Sequence, residues 1–315
     1  MGELIKYELG QWQRLKALAL DSVTSPHSKR AYESALNHFL AWYHSESRPP
    51  ISKAVVNAYK AQLAEAGLSS STINVRLAAV RKLVCEAADN GLITPDLAAG
   101  IAKVKGASRL GVRIGNWLDR RQAERLINAP DTATIAGKRD RALFSVLIGC
   151  GLRRSEAAAL TFAHVQQREG RWVIVDLIGK HGRIRSVPMP AWAKIAIDEW
   201  SAASGIHMGL VFRPVNKGDR LTDGSLSGNC IRLALRKYTS ELGLANLAPH
   251  DLRRTYARLA HQGRAKLQQI QISLGHSSIQ ITERYLGVKQ NLADAPCDHL
   301  GMKLYSLPPG SKLAA

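Results

Sequence analysis

Cysteine is scarce in this chain. The four that occur, Cys85, Cys150, Cys230 and Cys297, stand apart with no Cys-x-x-Cys pair among them. A zinc site groups its ligands at short spacing and a secreted disulfide framework packs cysteines densely, so neither is expected. Free thiols in a reducing, intracellular setting are, with Cys85 and Cys150 buried as small apolar groups. Long apolar runs are missing too, and the opening stretch "MGELIKYELGQWQRLKALAL" carries no signal-peptide pattern, so neither a membrane span nor export is expected. Acidic residues are also short: 25 Asp and Glu face 44 Lys and Arg, which leaves a net charge of +19 and a pI near 10.1. Such a surplus sets up a positive field that selects a polyanionic partner, nucleic acid ahead of a membrane surface. There is no internal repeat, no low-complexity tract and no convincing cluster of carboxylates of the kind that holds paired divalent ions.

What is present is enough apolar residue, 45% of 315, for one large core or two ordinary ones. The first third has helical periodicity. "SKRAYESALNHFLAWY" places Tyr32, Leu36, Phe39, Leu40 and Tyr43 on one stripe. "ISKAVVNAYKAQLAEAG" repeats the pattern with Val56, Tyr59 and Leu63, between a capping Ser52 and a stop at Gly67. "STINVRLAAVRKLVCEAADNG" aligns Ile73, Leu77, Val80 and Val84, with Arg76, Arg81 and Lys82 off that face, and a shorter helix follows Pro95. Four such helices make a compact unit over residues 1–104. "VKGASRLGVRIGNW" then breaks the period with glycines and with Lys105, Arg109 and Arg113 after Lys103. It reads as a flexible basic linker, 105–116, suited to crossing a phosphate backbone.

Residues 117–315 are mixed. Asp119 and Gln122 form a capping-box pattern, "KRDRALFSVLIGCG" is a helix closed by glycines, and "RSEAAAL" opens another. The period then changes to two: Val173, Val175 and Leu177 alternate ahead of "GKHG" and a second extended run, which predicts a hairpin or small meander. The helix of "AWAKIAIDEW", an irregular "VFRPVNKGDRLTDG" and four further helical segments follow. The fold class expected is mostly α with a small antiparallel β-sheet, α+β.

Cationic and protonatable groups gather at the breaks between these elements. "GCGLRRSEAAAL" puts Arg153 and Arg154 in a turn opening a helix, a ready anion site with Ser155 near the cap. Lys180 sits in the hairpin tip of "IGKHGR". His250 and Arg253 share a helical face just after Pro249. His276 precedes a helix with a Ser277-x-x-Gln280 capping pattern, and Tyr285 lies toward that helix's far end. Taken singly, each is more often a solvated charge, a helix cap or a packing aromatic.

The order in which they occur changes that reading. Arg, Lys, His-x-x-Arg, His and Tyr in this sequence resemble the tyrosine recombinases, the phage integrase family that shares its chemistry with type IB topoisomerases. "GLRRSEAAAL" resembles the family's first-arginine motif at Arg153, with Glu156 at its acidic position. "GKHGRIRSVPMP" resembles the hairpin-lysine motif at Lys180, "HDLRRTYA" the His-x-x-Arg motif at His250 and Arg253, and "LGHSSIQITERYLGV" the terminal motif at His276 and Tyr285. The likeness spans Leu118 to Val288, and the helical first third is similar to the family's core-binding domain. Two local departures stand out: Cys150 and Gly151 where the family often has Thr before "GLR", and Arg154 where an apolar residue is common.

The resemblance implies a helical core-binding domain and a catalytic domain clamped on double-stranded DNA at a recombination site with inverted repeats. It implies a metal-free, ATP-free strand transesterification with no cofactor. Tyr285 would be the nucleophile and form a covalent 3′-phosphotyrosine. Arg153 and Arg253 would hold the non-bridging oxygens, Lys180 would protonate the leaving 5′-oxygen, His250 would assist proton removal from Tyr285, and His276 would hydrogen-bond the phosphate. A homotetramer on two synapsed duplexes is expected, with the thirty residues after Tyr285 exchanged between protomers, at a cytoplasmic, nucleoid-associated location. Two other activities fit the same residues: a relaxing, type IB topoisomerase-like enzyme, and a DNA-binding regulatory or architectural protein that keeps the fold without cleaving.

Overall fold

A computed structural model of the chain describes residues 9–45, 48–108, 116–179, 182–244 and 247–286. Two compact units divide it, Met1–Arg113 and Ile114–Ala315, each with its own apolar core. The fold is mostly α with one small antiparallel sheet. Among the described residues no helix is long and apolar enough to cross a membrane.

The first unit holds α1 (Leu9–Asp21), α2 (Pro26–His44), α3 (Lys53–Glu65), α4 (Ser70–Asp89) and α5 (Pro95–Ala102). The starts of α2 to α5 are written in the sequence: Ser25, Ser52, Ser69 and Thr94 each accept a backbone N–H of the first turn, and Pro26 and Pro95 stand where a helix tolerates a missing N–H. Apolar stripes from α2, α3 and α4 meet around Phe39, Tyr59, Leu77 and Val80, all fully buried. One helix beyond the expected four is present. In α1, Trp12, Leu15 and Ala19 recur at helical spacing and close the same core. Cys85 corrects its expectation: it lies on the solvent side of α4, off the face that buries Leu77 and Val84, and is exposed.

The linker expectation also needs correction over its first residues. Val104 to Ser108 do not run free but lie strapped along α4. Asn74 grips Ala107 at both ends, its Nδ2 donating to Ala107 O at 3.0 Å and its Oδ1 accepting Ala107 N–H at 2.7 Å. Ser70 Oγ donates to Ser108 O at 2.8 Å, and the Arg81 guanidinium donates to Val104 O. Gly106 is needed for the approach, because a Cβ there would lie 2.5 Å from Asn74 Oδ1. Arg109 and Arg113 lie outside the described residues.

The second unit comprises α6 (Arg120–Asn128), α7 (Ile135–Gly149), α8 (Arg154–Ala158), β1 (Val165–Arg168), β2 (Arg171–Ile178), β3 (Ile184–Pro188), α9 (Ala191–Ser204), α10 (Gly228–Glu241), α11 (Pro249–Gln262), α12 (Leu267–Leu274) and α13 (Ile279–Leu286). Nine of the fifteen residues of α7 are buried, and α9, α11 and α6 pack against it. Its first turn is tied to the irregular segment by Asp219, whose two carboxylate oxygens accept Ile135 N–H and Ala136 N–H at 2.8 Å each. The three strands form an antiparallel meander in the order β1-β2-β3. Strict alternation fails inside β2. Ile174 and Leu177, three residues apart, both face the core because the register shifts between them, and Asp176 takes the left-handed conformation at φ 54°. That irregularity re-aims the end of β2 that carries the hairpin.

Candidate active site

The site grows from the end of α7. The chain leaves the helix through Cys150, buried and inert with its thiol pushed up to about 12 by burial. It turns at Gly151 with φ +61°, where a Cβ would lie 2.5 Å from the Tyr256 ring. A side chain there would meet both backbone strain and a clash, which accounts for the glycine of "GLR". Leu152 anchors the turn in the core, and Arg153 then caps α8.

Three guanidinium groups and one carboxylate meet at this turn. Glu156 accepts Arg153 N–H and Arg153 Nη1, both at 2.7 Å, and takes a bidentate pair from Arg185, Nη1 at 2.9 Å and Nη2 at 2.8 Å. Arg253 Nη1 lies 4.0 Å from Glu156 and donates to Gly151 O at 2.7 Å. The carbonyl end of α12 receives the same three cations: Arg185 Nε donates to Ser273 O at 2.8 Å, Arg153 Nη2 reaches Leu274 O at 3.5 Å, and Arg253 Nη2 donates to Leu274 O. A helix C-terminus carries partial negative charge, so it stabilises cations placed there. Burial alone would raise the Glu156 pKa, but the bonds from Arg185 and Arg153 outweigh it and hold the carboxyl at about 2. Three positive groups less one negative group leave two formal positive charges in a largely dry pocket. That matches the charge of a pentavalent phosphorane.

Against this cluster stand two histidines and the tyrosine. His250 sits in the first turn of α11, which Asp251 closes by accepting Ala248 N–H at 2.9 Å. His276 follows Gly275, whose left-handed conformation ends α12 and turns the chain toward α13. His276 Nδ1 pairs with Thr282 Oγ1 at 3.0 Å, which leaves Nε2 for another partner. The Tyr285 ring meets both imidazoles edge to face, with centroids 5.5 Å from His250 and 5.3 Å from His276, and the Arg254 guanidinium lies 4.9 Å over it. Its hydroxyl donates to the backbone oxygen of His250 at 3.3 Å. Burial pushes the phenol up to about 12, a rise that Arg253 and Arg254 oppose without cancelling. Burial, followed by the charges of Arg253 and Arg153, holds His276 down at about 4, and burial with Arg253 and Arg254 also lowers His250.

Arg153, His250, Arg253, His276 and Tyr285 therefore surround one small volume. Lys180 lies outside the described residues. Of the two adjacent arginines, Arg153 turns into the cluster, while Arg154 packs against Gly228 at the start of α10, where a Cβ would lie 2.7 Å from its Nε. Arg253 is only 1% exposed, and two of its three nitrogens bond backbone carbonyls, leaving Nε without a partner. In this arrangement Arg253 is covered and Tyr285 is partly buried. Sequence reasoning gave Arg185 no role. Its signal was alternation: in "IRSVP" Arg185 shares the inward face of β3 with Val187, and a charge on a buried strand face requires a partner. Among the described residues no group of three or more His, Cys, Asp or Glu side chains is placed to hold a metal ion.

Comparison with known proteins agrees with this architecture. Residues 116–291 match the phage integrase family, and residues 13–91 match the phage integrase N-terminal SAM-like domain. Tyrosine recombinase XerC of Xylella fastidiosa (strain 9a5c) is 30% identical over 265 residues, covering 83% of this chain and 86% of that protein. Tyrosine recombinase XerC of Pelobacter propionicus is 29% identical over 272 residues, covering 84% and 85%. Among solved structures, XerH recombinase in its post-cleavage complex with palindromic difH superimposes with a TM-score of 0.65 at 20% identity, over 88% of this chain and 80% of that one. A lambda integrase dimer on a COC′ core site gives 0.65 at 16% identity, over 88% and 77%. The chain belongs to the phage integrase family. It is a tyrosine-type site-specific DNA recombinase.

Proposed function

We propose that the chain cuts and rejoins double-stranded DNA through a covalent 3′-phosphotyrosine on Tyr285, with Arg153, Lys180, His250, Arg253 and His276 completing the site. The observation that carries this is that Arg153 and Arg253 meet on Leu274 O at the end of α12 while His250 and His276 both pack against the Tyr285 ring. The Tyr285 oxygen attacks the scissile phosphorus as its proton passes to His250, whose lowered pKa leaves the ring neutral and able to accept. Arg153 and Arg253 stabilise the charge that develops on the non-bridging oxygens, with His276 Nε2 as a further donor, in the role metal ions fill at other phosphoryl-transfer sites. The bond from phosphorus to the 5′-oxygen breaks, and Lys180 supplies that oxygen's proton. A 5′-hydroxyl from another strand then reverses the step, and the phosphoester energy is conserved.

The helical first unit, residues 1–104, serves as the core-binding DNA-binding domain, followed by the basic linker and the catalytic domain from 117 onward. Inverted repeats are the site it suits, because a symmetric oligomer reads symmetric DNA. The working assembly is a homotetramer on two duplexes in which the tail beyond Tyr285 passes to a neighbouring protomer. A groove of about 740 Å³ on the second unit supports this; Ile127, Ile148, Trp192 and Leu259 line it beside polar groups that include Arg120, Glu124 and Arg141. The net charge of +19 supports residence on the nucleoid.

A nicked suicide substrate, from which the cut fragment diffuses away, tests the chemistry. The wild-type chain should accumulate a covalent adduct, while Tyr285→Phe should form none and bind the same DNA within about threefold, since it loses one neutral hydroxyl among many charged phosphate contacts. Loss of binding by Tyr285→Phe would make the tyrosine structural. Binding without any wild-type adduct would favour the regulatory or architectural reading.

A further inference from the structure

Arg185 takes no part in the chemistry above, yet it is among the most enclosed charges in the second unit. Its side chain is 7% exposed on the inner face of β3. An enclosed cation of this kind is retained only where its bonds are nearly ideal. All three of its nitrogens are engaged: both Nη groups on Glu156 and Nε on Ser273 O. The partners belong to different parts of the site. Glu156 holds the backbone and the guanidinium of Arg153. Ser273 is the next-to-last residue of α12, and a Cβ on Gly275, the residue before His276, would lie 2.9 Å from Arg185 Cδ. Gly179, at the base of the hairpin that carries Lys180, is also close: a Cβ there would lie 3.4 Å from Arg185 Nη1 and 3.5 Å from Arg153 Nη1.

One guanidinium thus bears on the Arg153 turn, the His276 turn and the hairpin base. We infer that Arg185 is a positioning residue for strand cleavage: through Glu156 it fixes the direction of the Arg153 guanidinium, and through Ser273 it fixes the turn that presents His276. It touches no DNA. The inference rests on the reading of Arg153 and Tyr285 as catalytic groups. The fork geometry is what matters. A lysine keeps the charge but is a single point donor and cannot span both Glu156 oxygens and Ser273 O at once.

The test uses full-length protein at saturating nicked suicide substrate, reading the single-turnover rate of adduct formation beside DNA affinity and thermal unfolding. Arg185→Lys should slow adduct formation about 100-fold, the cost of a misplacement near 1 Å, with DNA affinity within about threefold of wild type. The readout specific to positioning is non-additivity. In an Arg153→Lys background, where one of the two groups being positioned is already altered, adding Arg185→Lys should cost about tenfold or less, the remainder coming from the His276 turn. A purely structural loss would multiply through at its full size, and that result overturns the inference. So does a folded Arg185→Lys that cleaves at the wild-type rate. If Arg185→Lys does not fold, Glu156→Gln keeps the carboxylate's shape and carries the same test with the same expected values. Arg153→Lys alone separates the two failures: an unchanged rate there sinks the active-site reading, whereas a slow Arg153→Lys beside a fast Arg185→Lys sinks only the role of Arg185.

Discussion

His276 is a base kept neutral by its surroundings. Burial and the nearby Arg253 and Arg153 charges hold its imidazole at about 4, against the ordinary 6.5. The unfolded chain regains the ordinary value and therefore binds more protons than the folded one below it. Stability is fully present above pH 6.5, declines as the pH falls, and stops declining from this source below about 4. His250, lowered by burial and by Arg253 and Arg254, acts in the same direction. Glu156 adds a lower window: its pKa is held at about 2, so its contribution is present above about 4.5 and is lost as the pH falls toward 2. Melting temperature measured from pH 7.5 to 4 should fall, and His276→Gln should flatten that fall by less than about 1 kcal/mol per pH unit, given the ring's partial exposure. An identical slope in the variant would mean that the imidazole is not held neutral in the folded chain.

At the scale of elements, the strap on α4 changes what the linker is. Ser70, Asn74 and Arg81 lie along one side of the helix and bond the backbone of Val104 to Ser108, so the stretch is fixed by main-chain bonds although Lys105 itself is exposed. Asn74→Ala removes two bonds at once and should speed tryptic cleavage after Lys105 about thirtyfold while the helical unit stays folded, on the usual 1 kcal/mol or so per hydrogen bond. An unchanged cleavage rate would mean that the strap adds no protection. None of this was legible from "VKGASRLGVRIGNW", because glycines and charges mark a break in periodicity but carry no information on which side chains elsewhere will bond the backbone. The helices were legible because a cap, a stripe and a stop are all local, as at Ser52, Val56 to Leu63 and Gly67. The helix α1 is also written locally, in Trp12, Leu15 and Ala19, but Gln13, Arg14 and Lys16 stand between them and obscure the stripe. In β2 the alternation predicts the strand, yet the shift at Asp176 depends on pairing with β3 and leaves no mark in the order of residues. Arg185 belongs with that shift, since its partners lie 29 and 88 residues away.

For the whole molecule, charge and assembly separate cleanly. The field of a +19 chain acts on DNA through phosphate contacts and is carried by both units. Residues 289–315 hold three lysines and two aspartates, so they account for a single net charge of the nineteen. They also hold Leu292, Leu300, Met302, Leu304 and Leu307, an apolar content that phosphate binding does not use. The groove beside Trp192, a residue 45% exposed with Ile195 56% exposed on the same helix, offers apolar surface of the matching kind. A chain ending at Val288 should therefore keep its affinity for a single half-site within about threefold, because it loses almost no field. If the tail passes between protomers as proposed, the truncated chain should fail to bring two duplexes together, because that exchange is what would close the ring. Gel retardation of one-site DNA measures the first property, and product formation from a two-site substrate measures the second. Full strand exchange by the truncated chain would mean that the protomers assemble through other surfaces. An equal loss of half-site binding would mean that the tail belongs to the fold of its own protomer.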